Sequence, residues 1–272
     1  MPSKRALVAL GSILFLLFAV ASSVTGTRAV AGRQYNPAEL VDVPVLNYHM
    51  VGKLAPPQAL SLTPEEFDEQ MGYLAENGYH TISPDQLVGY LKYGRPLPDK
   101  PVLITFDDGY RDNYTNAYPI LKKYGFTATI FLVTSLVGAD DRFLTWEQVR
   151  EMHKSGLTFG SHTVHHQALT KLTPEQVQAE LSDSSREIER QLGHKPRYFA
   201  YPTGAYNRQL AETVRLAGYR AAFTIRYGEV GLESDQYALE RIPIFHGDRT
   251  FRSFYYRLAA APILERMGII RN

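Results

Sequence analysis

Along the chain, short runs of apolar and β-branched residues alternate with amphipathic stretches. Runs at residues 44–48, 102–106, 127–133, 157–160, 198–201, 221–225 and 239–244 have the length and composition of strands. The stretches between them carry helix-start chemistry. Thr63-Pro64-Glu65-Glu66, Ser83-Pro84-Asp85-Gln86 and Thr173-Pro174-Glu175-Gln176 each place a capping hydroxyl before a proline, with Glu or Gln three residues on to reach back; Thr145-Trp146-Glu147-Gln148 is the same box without proline. After Thr173, Val177, Leu181, Ile188 and Leu192 fall on one helical face with charges opposite. Gly78, Gly125, Gly156, Gly193 and Gly218 each end a helical pattern and precede a strand-like one. This alternation predicts a parallel sheet covered by helices, as an open doubly wound sheet or a closed barrel. No Gly-rich phosphate loop follows any of the strands, which weighs against a nucleotide-binding sheet.

The first 31 residues break this pattern. Lys4 and Arg5 precede an uncharged, mostly apolar stretch over 6–21, and Ala29-Val30-Ala31 before Gly32 suits a signal peptidase. The apolar stretch is shorter than the ~20 residues of a typical membrane span. Residues 1–31 therefore read as a signal peptide or an N-terminal membrane anchor, 32–42 as a linker, and 43–272 as one domain. Export from a bacterial cytoplasm follows, to the cell wall or the outer face of the membrane.

Composition narrows the chemistry. With a formal net charge of +1 and no long Lys/Arg run, the chain carries no signature of nucleic-acid binding. There is no cysteine, so disulfides and thiolate ligands are excluded and any metal must be held by His, Asp or Glu. Nothing in the sequence calls for an oligomer, and a monomer is expected.

Chemistry-bearing residues gather just past the predicted strand ends. Asp107 and Asp108, in Thr105-Phe106-Asp107-Asp108-Gly109, follow the second strand; His162, His165 and His166 follow the fourth; Pro202-Thr203-Gly204 follows the fifth; and His49 follows the first. In a parallel barrel these converge on one mouth. Two adjacent carboxylates where a buried strand ends are costly, because each raises the other's pKa and burial adds to the penalty. A cation removes that cost. His162, His166 and Asp108 form a two-imidazole, one-carboxylate set that suits zinc and leaves a position for water. Asp107 is then free to act as a general base. The same donor set would serve a non-haem iron oxygenase, although no cosubstrate signature accompanies it.

Thr-Phe-Asp-Asp-Gly followed by His-Thr-x-x-His resembles the polysaccharide deacetylase family, the NodB-homology or carbohydrate esterase family 4 domain. The resemblance covers roughly residues 43–245. It implies a distorted (β/α) barrel and metal-dependent removal of acetyl groups from N-acetylated sugars. It also implies Asp107 as the base, with Asp108, His162 and His166 holding one divalent metal: zinc, or else cobalt or nickel. The third motif departs from the family's Arg-Pro-Pro-Tyr-Gly. Here it reads Ala200-Tyr201-Pro202-Thr203-Gly204, so Ala200 replaces the arginine that orients the base. Arg241, on the last strand, is a candidate replacement; a structural ion pair is the competing reading. The resemblance places the Thr203 N–H at the oxyanion position, with Pro202 and Tyr201 beside it at the substrate groove or, for Tyr201, in the core. His49 after the first strand resembles the general acid of the branch acting on poly-N-acetylglucosamine, and His246 is the alternative acid. The implied substrate is an N-acetylglucosamine-containing envelope polysaccharide, either peptidoglycan or poly-N-acetylglucosamine. O-acetyl xylan esterase activity and a non-catalytic carbohydrate-binding role on a decayed fold are the rivals. Any membrane contact would run only through the N-terminal segment.

Overall fold

The computed structural model describes residues 29–30, 33–34, 41–53, 60–246 and 250–260. Most of the expected leader and linker lies outside the described residues; Ala29–Val30 and Arg33–Gln34 pair as a short antiparallel hairpin. From Asp42 onward the chain forms one compact unit. Among the described residues, no helix is long and apolar enough to cross a membrane.

Seven parallel strands close on themselves. They are β1 (Val45–Tyr48), β5 (Pro101–Phe106), β6 (Thr129–Leu132), β7 (Thr158–Ser161), β8 (Tyr198–Ala200), β9 (Ala221–Tyr227) and β10 (Leu239–Pro243). Each pairs with the next in that order, and β10 returns to β1 through Ile242↔Leu46 and Pro243↔Asn47. This closure decides the barrel over the open sheet, and all seven expected strands are barrel strands. Three short strands were not foreshadowed. Met50–Val51 (β2) pairs with Ser61–Leu62 (β3) beside the barrel, and His80–Thr81 (β4) adds to the start of β5. His80 lies in that added strand.

The helices form where their caps predict. The boxes at Thr63, Ser83, Thr145 and Thr173 are all formed and begin α1 (Pro64–Glu76), α2 (Pro84–Tyr93), α4 (Trp146–Lys154) and α5 (Pro174–Leu192). Between them α3 (Tyr118–Tyr124) follows a π turn at Asn113–Ala117, and α6 (Arg208–Leu216) and α7 (Thr250–Tyr255) complete the layer. Neither Asp112 nor Asn113 caps the turn at Asn113–Ala117 with its side chain. The Asp112 side chain makes no cap bond and Asn113 instead donates to the His49 carbonyl, because the chain enters this helix already in helical geometry.

On α5 the expected face is buried: Val177, Leu181 and Ile188 pack inward, joined by Glu180 and Ser184. One apolar cluster lies between the barrel and α1, α3 and α4, and a second, containing Leu181, Phe199, Tyr201 and Val214, lies under α5 and α6. Each fully buried Leu- or Phe-sized side chain contributes about 1.5–3 kcal/mol. These two layers fix the strand ends on which the site is built. Trp146 packs against the first cluster.

Candidate metal and catalytic site

The register of the closed barrel sets the site. Tyr48 pairs with Phe106 as the last couple of β1 and β5, so the next residues, His49 and Asp107, emerge side by side at the carboxyl end. The Asp107 N–H donates to the Tyr48 carbonyl at 3.0 Å and anchors the turn. Asp108 follows in a left-handed conformation (φ 73°) and Gly109 in another (φ 78°); a Cβ on Gly109 would stand 2.8 Å from Leu132, so glycine is required. Four of the five non-glycine residues with positive φ among the described residues lie in the site loops: Asp108, Thr163, His166 and Thr203. Each such residue costs of order 1–3 kcal/mol, and the clustering marks where the fold holds strain for chemistry.

Asp108, His162 and His166 come together. Asp108 Oδ1 lies 3.6 Å from His162 Nε2 and 3.4 Å from His166 Nε2, and all three donor atoms fall within 4.8 Å of one another. Donors at 2.0–2.1 Å on adjacent tetrahedral positions stand about 3.4 Å apart, so this spacing fits a zinc-sized ion. The donors are also prepared for one. His162 Nδ1 is tied to the Ala200 carbonyl at 2.7 Å, which fixes the ring and leaves Nε2 facing Asp108. Asp108 is buried, and its Oδ1 has no hydrogen-bond partner. Burial pushes Asp108 above the usual carboxylate range, with neighbouring Asp107 adding to it and His49 opposing. Burial likewise brings His162 down to about 4. An unpartnered buried carboxylate oxygen facing two imidazoles is a donor set that would suit a cation.

His165 is turned away from this set. Its Nδ1 bonds Glu180 Oε1 at 2.6 Å, and Glu180 Oε2 accepts from the N–H groups of Val164 and His165. Glu180 therefore braces the loop between the two imidazoles. Its one advance signal was an acid on the apolar face of α5.

Asp107 is held quite differently. It is 2% exposed and receives a two-pronged bond from Arg241, Nη1 to Oδ1 at 2.8 Å and Nη2 to Oδ2 at 2.7 Å. Asn47 Nδ2 adds a third bond to Oδ2 at 3.1 Å. Burial alone would raise the Asp107 pKa, but Arg241 and then His162 bring it well below the usual carboxylate range. Arg241 is fully buried; Nε donates to the Thr224 carbonyl at 2.6 Å and Nη1 reaches Thr105 Oγ1 at 3.3 Å. The β9–β10 register shifts between Phe223 and Tyr227, and Thr224 sits in that irregularity. Such a shift leaves a carbonyl outside the ladder, here aimed at the guanidinium. Arg241, the candidate replacement for the residue lost at Ala200, thus binds both oxygens of Asp107. Asn47 was missed in the sequence, where its signal was a lone amide inside an apolar strand.

His49 sits beside both aspartates, close enough to feel each charge, and burial lowers its pKa. Its Nδ1 is buried without a partner. His246 instead bonds Glu66 at the start of α1, at 3.1 Å. Thr203 is exposed at the centre of a single helical turn, Pro202–Gly204, with φ 59°. The early N–H groups of such a turn have no acceptor within it. Gly204 permits the turn to lie on Ile225, whose side chain a Cβ would strike. Of the two readings of Tyr201, groove or core, its burial favours the core. Tyr201 is fully buried in the second core cluster, with its hydroxyl on the Tyr237 carbonyl at 2.9 Å, and Pro202 beside it is buried too. Alternation along β8 turns Tyr201 outward from the barrel into the helix layer, leaving Thr203 as the exposed member of the motif.

Comparison with known proteins bears on this arrangement. The polysaccharide deacetylase family profile matches residues 94–222. The chain is 37% identical over 211 residues to YxkH of Bacillus subtilis, a protein with a provisional polysaccharide deacetylase name, covering 78% of this chain and 73% of that one. It is 27% identical over 264 residues to the poly-beta-1,6-N-acetyl-D-glucosamine N-deacetylase of Staphylococcus epidermidis, covering 87% and 91%. The Streptococcus pyogenes deacetylase PplD, solved with acetate, superposes with a TM-score of 0.75 at 30% identity, over 80% of this chain and 99% of that one.

Proposed function

Because the chain belongs to the polysaccharide deacetylase family, we propose that it removes N-acetyl groups from N-acetylglucosamine units of an exported envelope polysaccharide. The observation that carries this reading is the pairing of two unlike carboxylates. Asp108 presents a bare oxygen to two imidazoles, while Asp107 beside it is ionised and held by Arg241. A decayed, non-catalytic fold has no use for that expensive buried arrangement.

In this reading a divalent metal held by Asp108, His162 and His166 supplies a Lewis acid that acidifies water and polarises the acetyl carbonyl. Two nitrogens and one oxygen favour zinc, with cobalt or nickel using the same donors. Asp107 Oδ1, which accepts one bond from Arg241, retains a lone pair to take the proton from attacking water. The Thr203 N–H donates to the acetyl oxygen as charge develops on it. His49 delivers a proton to the departing amine nitrogen. Burial disfavours its charged form and so makes its imidazolium a stronger acid. A C–O bond forms, the C–N bond breaks, and the two proton movements balance. His246, engaged by Glu66, is not assigned the acid's role.

We place the catalytic domain at residues 43–272, following a leader at 1–31 and a linker at 32–42, and expect a monomer acting outside the cytoplasm. Poly-β-1,6-N-acetylglucosamine is the favoured polymer, supported by the early His49 and by the named activity of the S. epidermidis relative. The test is acetate release by the purified chain, metal-stripped and metal-restored, on that polymer, on peptidoglycan and on O-acetylated xylan. No acetate from any of them after metal is restored would sink the reading; release from xylan alone would turn it to an esterase. Asp107→Asn is expected to cut turnover at least ~10³-fold with metal retained, whereas Asp108→Asn is expected to lose the metal.

A further inference from the structure

The end of the barrel opposite Asp107 collects positive charge. Arg197 immediately precedes β8 and Arg220 immediately precedes β9, so both stand at the amino ends of the strands. Across from them, α2 brings Asp85 in its first turn and Lys92 in its last, with Arg95 just beyond. These five side chains line one cavity of about 500 Å³, together with Tyr93, Tyr219 and Tyr237. Asp85 organises one wall, accepting from the Tyr198 hydroxyl at 2.6 Å, Arg220 at 2.9 Å and Arg197 at 3.2 Å. Lys92 and Arg95 form the other, their charged heads 5.5 and 5.4 Å from the Tyr93 ring.

The lining thus holds four cations against one carboxylate, in a chain whose whole formal charge is +1. Like charges around a concavity repel, and the low-dielectric walls focus their field on whatever enters. A second feature points the same way. Gly89 lies mid-helix in α2, where glycine costs about 1 kcal/mol relative to alanine. A Cβ there would press to 3.2 Å on the Arg95 Cδ, so the glycine lets the arginine stem fold back across the helix to the cavity rim. Planar guanidinium forks with an ammonium beside them match the oxygens of a phosphate group better than a lone carboxylate does.

We propose that this cavity is a binding site for a phosphate group. The site is independent of the deacetylase reading, since it shares no residue with it.

Calorimetric titration of the full chain at low and high salt tests this, with inorganic phosphate, a glycerol-phosphate oligomer and phosphatidylglycerol vesicles as probes. Phosphate is expected to bind, with the oligomer or the vesicles binding more tightly, and salt should weaken all of it. Oligomer binding without vesicle binding identifies a wall polymer as the source, and the converse identifies a lipid headgroup. The double variant Lys92→Gln/Arg95→Gln should weaken binding about tenfold, with acetate release from a short soluble substrate unchanged. Gly89→Ala, which favours the helix, should weaken it severalfold by displacing Arg95. Absence of binding by all three probes overturns the proposal. So does an equal loss in Lys123→Gln, whose charge sits on α3 against Asp68. Binding retained without acetate release from any polymer would overturn the deacetylase reading alone.

Discussion

The two aspartates are served by different parts of the molecule. The central segment, from β5 to the Thr203 turn, carries Asp108, His162, His166 and Asp107 itself, and it lies within the 94–222 match to the family profile. The groups that grip Asp107 come from the two flanking strands, Asn47 on β1 and Arg241 on β10, and His49 follows directly after β1. All three fall outside that match. The Asp108, His162 and His166 cluster is made by two loops, after β5 and after β7, inside that segment. The grip on Asp107 is made by barrel closure, which joins residues 134 apart. The lesson is that barrel closure can bring a guanidinium from the last strand to a carboxylate at the end of a distant one.

Substitutions in the flanking strands test this division: each should impair turnover while leaving metal content at the wild-type level. The largest effect is expected at His49. His49→Gln should lower kcat by ~10²–10⁴-fold, the range for loss of a general acid, while His246→Ala should change it by less than about threefold. Reversal of that order in steady-state assays would move the acid to the end of β10.

Next comes Arg241. Arg241→Gln leaves a buried carboxylate uncompensated and should cost about 3–5 kcal/mol in urea melts at neutral pH. The sign of the pH effect is fixed. Asp107 is depressed in the folded protein, so its stabilisation is present above the ordinary carboxylate pKa and is lost as pH falls toward the folded value. Without Arg241, burial raises the Asp107 pKa instead. The acid limb of kcat/KM should then move to higher pH, and the stability gap to wild type should narrow as pH falls. Arg241→Lys keeps the charge without the fork and should fall between the two. An unmoved acid limb in Arg241→Gln would break the comparison.

Asn47→Ala removes one bond to a charged acceptor, worth about 1.5–3 kcal/mol, and should slow turnover by ~10-fold without displacing metal. The smallest effect is expected at Thr203. Thr203→Gly keeps the N–H and relieves the left-handed strain, so activity within about threefold of wild type and slightly raised stability should follow. A large loss there would show that the hydroxyl, and not the N–H, meets the substrate.

Much of this was legible in the sequence, and the reasons are physical. The seven barrel strands and four capping boxes are local devices, written in consecutive residues. So are the Asp107-Asp108 pair and the His162/His166 spacing. Arg241 was visible only as a candidate, because the register shift at Thr224 that receives its Nε leaves no mark in a single strand's pattern. Asn47 and Glu180 left faint marks, each a polar residue on a buried face, and their partners could not be read before the fold was known. Tyr201 was left open between groove and core because a motif fixes sequence neighbours, whereas alternation past β8 decides which of them faces solvent.

The late position of Arg241 also orders events in time. The segment that gathers Asp108, His162 and His166 can form its loops before the chain's final strand is added. Bringing Arg241 to Asp107 closes a loop of 134 residues, at an entropic cost of ~4 kcal/mol that grows only slowly with length. In the proposed mechanism the competence of the base is thus a property of high contact order, since its partner reaches it only through this long closure.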